Sequence, residues 1–300
     1  MQSAIGADLI KVTGALCDMK LEGPIQSGDF KKLEGALTPR MRLCLNSPGG
    51  SYLDGLRLFE HIAAQRVATA VGAGDACFSS CAIAFMGGAD GAYGDRFPDR
   101  TLHADGRLGF HSPVLGQNGS EMNVDGDRLA VGVAVGFSVV VELIRADKYN
   151  LLTKSLIAHM LETPPSSIYQ IDTFKKARDA GIAITGVRRP EEITKVMLYQ
   201  ACVNSDPWSK DVDTVADEEH ARESQLSVIS TNNTYRIVFN GFGLYNMEKC
   251  AVDVVSAPGK PAEFHVQFGE DTQQPRHMVE SRPTWYLYPP SATIYHYVQK

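Results

Sequence analysis

From Leu9 to Val187 the chain alternates strand-like runs with helix-like runs, and this alternation limits its fold more than any other feature. "LIKVTGALCDMKLEG", "MRLCLNS", "VATAVG" and "GRLGFHSP" are short and rich in apolar or β-branched residues, so they read as strands. Between them, "SGDFKKLEGAL" has helical spacing, with Ser27 or Asp29 available as a cap. "SYLDGLRLFEHIAAQ" sets Leu53, Leu56, Leu58, Phe59 and Ile62 mostly on one helical face. "TFKKARDAGIAITGV" reads as helix, glycine stop and strand. Such alternation predicts an α/β domain with a mainly parallel sheet covered by helices.

Beyond about Ala201 the texture changes. "QLSVISTNNTYRIVFNGFGLYNMEKCAVDVVS", "AEFHVQFG" and "ATIYHYV" are strand-like runs broken by Asn and Gly turns. The expected organisation is an α/β domain over 1–195, a polar and acidic linker over 196–220, and a smaller all-β domain over 221–300. The Gly- and Asp-rich stretch between Gly87 and Arg107 reads as a surface excursion.

Composition narrows the function classes. The 300 residues carry a formal net charge of −6 and are 44% hydrophobic, which is ordinary globular material. No basic cluster is dense enough for nucleic acid. The longest apolar run, Leu129 to Ile144, is shorter than the roughly 20 residues of a membrane span and contains Glu142, so it reads as a buried or subunit-contact helix. The six cysteines are scattered and lack zinc-ligand spacing, so no metal and no cofactor are expected. Cys202 and Cys250 can pair if the compartment is oxidising. Cys77 and Cys81 are read as two positions four apart on one helix, where the Cβ atoms stand roughly 5–6 Å apart. A disulfide needs roughly 3.5–4.5 Å, so that pair is expected to be unbonded.

Three stretches carry groups suited to chemistry. "LNSPGGSYLDG" ends a strand in Pro48, Gly49 and Gly50, where backbone N–H groups can approach a ligand; an ordinary tight turn has the same composition. "ACFSSCAIAFMGG" places Ser79 and Ser80 where a small-residue helix begins. Two readings fit: either serine serves only as the helix cap, or Ser79 is a nucleophile with the Ser80 N–H as one oxyanion donor. "RLGFHSP" sets His111 just past a strand, as a general base or a structural histidine. His103, in the Gly- and Asp-rich excursion, is a poorer base.

In order and approximate spacing these stretches resemble the proteolytic subunit of Clp protease, within the Clp-protease/crotonase superfamily. The cysteines flanking the serine make the chain most similar to a bacterial group of periplasmic proteins of that superfamily. The resemblance covers roughly residues 8–187. It implies a ββα superhelical domain, Ser79 as nucleophile, His111 as base, and oxyanion donors from Gly49, Gly50 and Ser80. The family acid falls on Ser167, two residues before Tyr169. Asp172 is the nearby carboxylate that could orient His111, although before "TFKKA" it also reads as an N-cap. The function expected from the resemblance is serine hydrolysis of a peptide or small acyl substrate. The alternative is a catalytically weak or inactive binding and assembly module; crotonase-like acyl-CoA chemistry finds no support in these residues. The resemblance also implies self-association through the helical region around Leu129–Ile144, and a periplasmic or secreted protein. "MQSAIGADLIKV" suits a chain whose signal peptide has been removed, and equally a cytoplasmic start. With an oxidising compartment, Cys202–Cys250 is the first pair expected to bond.

Overall fold

The computed structural model describes residues 6–13, 16–91, 94–113, 138–206, 215–231, 234–243, 247–256, 262–269 and 280–299. It is a mixed α/β structure that divides into two compact units, residues 1–172 with 177–186, and residues 173–176 with 187–300.

The first unit is built around a six-stranded sheet. β1 (Asp8–Lys11) pairs antiparallel with β2 (Met19–Glu22), after which helix α1 (Phe30–Leu33) leads to β3 (Arg42–Asn46). Helix α2 (Tyr52–Gln65) and β4 (Ala68–Val71) follow, then β5 (Ala76–Phe78) and helix α3 (Ser80–Phe85). The β6 (Ala89–Asp90) and β7 (Phe97–Pro98) ribbon precedes β8 (Arg100–His103) and β9 (Arg107–Phe110). Helix α4, described over 138–146, helix α5 (Lys154–Glu162), β10 (Tyr169–Gln170), helix α6 (Phe174–Asp179), whose first three residues belong to the second unit, and β11 (Ala183–Thr185) complete the order. The main sheet runs β1-β2-β3-β4-β8-β11, parallel from β2 onward, as strand–helix alternation demands. A second, three-stranded sheet runs β10-β9-β5.

Helix α2 shows how sequence sets these elements. Ser51 caps it by accepting from the Asp54 N–H (3.3 Å) while its hydroxyl donates to Asp54 Oδ2 (2.8 Å). A cap of this kind contributes about 1 kcal/mol. Leu56, Leu58, Phe59 and Ile62 are buried and Leu53 is exposed, so the apolar face is the expected one less its first residue. Asp29, offered by the sequence as a helix cap, instead anchors the N-terminal segment by accepting from the Ala7 (2.8 Å) and Gln26 (2.7 Å) N–H groups.

Arg100 in this unit is fully buried, and among the described residues no carboxylate is in hydrogen-bond contact with it. Its guanidinium donates to the carbonyls of Leu151 (2.7 Å), Ala180 (3.0 Å) and Gly88 (3.3 Å), tying β8 to three other segments. Burial lowers its pKa to about 9, with Asp147 pulling it back up.

The second unit is an antiparallel sheet of β12 (Gln225–Ser230), β13 (Thr234–Phe242), β14 (Glu248–Val255), β15 (Glu263–Gly269) and β16 (Glu280–Ser281), in that order. It is not all-β, and the linker expected over 196–220 is not a linker throughout. Helix α7 (Lys195–Ser205), capped by Thr194, lies in the core of this unit. Leu198, Tyr199, Ala201, Cys202 and Val203 pack with Ile237, Phe239 and Val252. Its residues from Leu198 to Asn204 are all buried, so it lacks the one-sided pattern that marks a surface helix. Helix α8 (Glu218–Glu223) follows, and the unit takes in 173–176 and runs on from Val187, ahead of the boundary expected after Lys195.

Three disulfides are present: Cys17–Cys44, Cys77–Cys81 and Cys202–Cys250. Such a set is what an oxidising compartment preserves. Cys202–Cys250, joining α7 to β14, is the pair expected from sequence; Cys17–Cys44 was not anticipated. Cys77–Cys81 corrects the expectation of free thiols. Cys77 belongs to strand β5 and only Cys81 to helix α3, so their spacing is not that of one helix, and their Cα atoms stand 5.2 Å apart.

Of the Leu129–Ile144 segment, 129–137 lies outside the described residues. Over 138–146 one face is buried at Leu143 and Ala146, while Val141 (41%) and Ile144 (59%) are exposed. Among the described residues no helix is long and apolar enough to cross a membrane.

Candidate active site

The SPGG turn meets the start of α3. Ser47 continues β3 into a parallel bridge with Cys77: the Ser47 N–H donates to Ala76 O (2.7 Å) and the Phe78 N–H to Ser47 O (3.1 Å). Asn46 secures the same end, its Oδ1 accepting from the Ala76 N–H (3.1 Å) while its amide donates to Glu22 (2.8 Å). That bond, helped by Lys20, holds the Glu22 carboxyl below its usual range. Both glycines are required. Gly49 has φ +96°, and a Cβ there would lie 2.6 Å from Phe78 O and 2.7 Å from Ser79 Cβ. Gly50 has φ +144°, and a Cβ there would overlap the Ile25 carbonyl.

Ser79 occupies the strand-to-helix corner at φ 57°, ψ −125°. A non-glycine residue held there is strained. It stands at the N-cap of α3, yet its side chain makes no capping hydrogen bond. The cap reading of Ser79 therefore does not hold. Ser80 differs in its burial: it is 2% exposed and packs against Gly55 of α2, and its Oγ has no hydrogen-bond partner among the described residues. A Cβ at Gly55 would lie 2.7 Å from Ser80 Cβ. As the first residue of α3, Ser80 has an N–H with no acceptor within its helix. The two adjacent serines thus present one half-buried hydroxyl and one backbone donor, the latter 3.2 Å from where a Gly49 side chain would begin.

The Gly49 N–H is engaged by Ser47 Oγ (3.1 Å). Gly50 is the bridging residue opposite Ile25: the Ile25 N–H donates to Gly49 O (2.9 Å) and the Ser51 N–H to Ile25 O (2.8 Å). In this parallel pattern the Gly50 N–H points away from Ile25, so Gly50, rather than Gly49, is the donor the turn can offer.

His111 follows β9, which pairs parallel with β5 in the register Phe78↔Gly109. The Ser79 N–H donates to Gly109 O (3.0 Å). Ser79 and His111 therefore leave the same ends of two adjacent strands, which lie about 4.8 Å apart. His111 is half-buried, and its Nδ1 lies 2.7 Å from the Ser112 carbonyl oxygen. A carbonyl only accepts, so Nδ1 carries the proton and Nε2 is left as the basic nitrogen. Ser112 is in turn fixed by its N–H to Thr163 O (2.9 Å).

Asp172 is not brought to this place. β10 runs antiparallel to β9, and the Ile171 N–H donates to Leu108 O (3.0 Å), so the chain has travelled back about 10 Å from His111 before Asp172 is reached. Its charge acts instead on Tyr169, whose hydroxyl pKa is raised by burial and then by Asp172 and Asp179. Thr173 stands between Asp172 and α6, and its Oγ1 accepts from the Lys176 N–H (3.3 Å). His103 lies on β8 in the other sheet, its Nδ1 accepting from the Asp105 N–H (3.1 Å).

Sequence reasoning missed the Ser112 carbonyl, a backbone group with no residue signature, and Gly55, whose signal was a glycine in mid-helix. Compared with known proteins, the chain matches no family model and no curated protein.

Proposed function

We propose that the first unit is a serine hydrolase, of the Clp-protease/crotonase type that its motifs resemble, acting on a peptide or small acyl substrate. The observation that carries this reading is the backbone of Ser79: a strained corner residue whose hydroxyl caps nothing, set against a glycine turn and the Ser80 N–H. In the mechanism, Ser79 Oγ attacks the substrate carbonyl carbon and His111 Nε2 takes its proton. The Ser112 carbonyl holds the imidazole in the required tautomer, the place a carboxylate fills in a triad. The developing oxyanion is received by the N–H groups of Ser80 and Gly50. His111 then protonates the leaving group, and water repeats the sequence to release the acyl product. No metal or cofactor is assigned a part.

A carbonyl stabilises the imidazolium less than a carboxylate does, and loss of the triad acid costs on the order of 10⁴ in rate in a serine protease. Turnover is therefore expected to be slow, and this same observation favours the second reading, a binding or assembly module. The three disulfides suit a periplasmic or secreted protein. The exposed Val141 and Ile144 suit self-association through this helical region.

The test is a panel of p-nitrophenyl esters of short acyl chains and fluorogenic peptides. Measurable hydrolysis of at least one class by the wild-type chain is expected. A folded protein that hydrolyses neither class supports the binding module instead.

A further inference from the structure

We propose that the Cys77–Cys81 disulfide is a positioning clamp that holds Ser79 in its reactive backbone conformation. The inference rests on the reading of Ser79 as nucleophile and adds what keeps it in place.

The argument begins with distance. Four residues of strand would separate the Cα atoms of Cys77 and Cys81 by about 13 Å. They stand 5.2 Å apart, inside the roughly 4.4–6.8 Å that a disulfide requires. The chain must therefore reverse within three residues. Phe78 is still in β5, laddered to Gly109, and Ser80 is already in α3. The reversal falls on Ser79, and its φ of 57° is that reversal. With the bond closed, a relaxed φ at Ser79 would carry Cys81 out of reach of Cys77. The bond and the strained corner therefore require each other.

Loop length points the same way. A disulfide stabilises a fold globally by closing a loop, and more so for longer loops. Cys77–Cys81 spans 4 residues, against 27 for Cys17–Cys44 and 48 for Cys202–Cys250. A bridge this short adds the least of the three to global stability, and what it restrains locally is the corner it encloses. Both its cysteines are fully buried, so the bond is set during folding and is not an exposed thiol-exchange site.

The experiment measures inactivation by a fluorophosphonate, separating the maximal rate from the half-saturating concentration. Three proteins are compared: wild type, Cys77→Ala/Cys81→Ala, and Cys17→Ala/Cys44→Ala. The clamp variant should lose roughly tenfold or more in maximal rate at unchanged half-saturation, as release of this class of strain permits. The Cys17/Cys44 variant should lose more in melting temperature yet keep the wild-type rate. Equal rates in the clamp variant and wild type, or equal rate losses in both variants, would overturn the clamp. If the alanine pair fails to fold, Cys77→Val/Cys81→Ala restores the lost volume and is measured instead. Wild-type protein that does not react defeats the nucleophile reading rather than the clamp. Hydrogen exchange over 76–86 then decides the clamp: faster exchange in the clamp variant alone supports it, and unchanged exchange overturns it.

Discussion

Ser79→Ala is expected to bring hydrolysis to background, a loss of about 10²-fold, because nucleophile and base act as one unit and a pair without its acid has already lost most of the triad's acceleration. The fold should survive. Ser79 makes no capping bond, so none is lost, and alanine at φ 57° carries the strain that serine already carries. Its melting temperature should stay close to that of the wild type. His111→Ala should cost nearly as much, and the double variant no more than the worse single one. A Ser79→Ala protein retaining a tenth of the wild-type rate would remove Ser79 from the mechanism.

Gly50→Ala should be the most damaging single methyl in this region. The added Cβ overlaps the Ile25 carbonyl, and that carbonyl accepts from the Ser51 N–H (2.8 Å) in the bridge that closes the turn. The φ of +144° is strained for any L side chain. Overpacking against backbone and a forbidden φ together should cost about 3 kcal/mol or more. They should also displace the Gly50 N–H, so hydrolysis falls along with stability. Gly35→Ala supplies the contrast. Its φ is +81° and a Cβ there meets nothing within 4 Å, so only the backbone penalty of about 1 kcal/mol remains. Urea midpoints of the two variants check this; equal losses would show that the close approach at Ile25 does not matter.

What could be read from the sequence follows from what leaves a mark in residue type. The strand ends, the glycine turn and the two serines carry period and composition, and the structure brings Gly49, Ser79 and Ser80 together while placing His111 on the adjoining strand end. The Cys77–Cys81 bond was hidden because β5 has only three residues, too few for a period-two pattern to separate strand from helix. Helix α7 was hidden for the opposite reason: it is buried all round, and its apolar residues give no one-sided stripe. Asp172 was drawn to the site by proximity in sequence to Tyr169, and the antiparallel return of β10 then carries it away. The partner His111 does have is a main-chain oxygen, which no side-chain pattern reports.

The central claim, that Ser79 is the nucleophile, is tested most directly by treating the wild-type chain with a fluorophosphonate and sequencing its peptides by tandem mass spectrometry. A single phosphonyl adduct is expected within the peptide containing Cys77 to Cys81, on Ser79, since the Ser80 hydroxyl is buried. It should be lost when the protein is unfolded before treatment. An adduct on any other serine, or no adduct on the folded protein, would contradict the assignment.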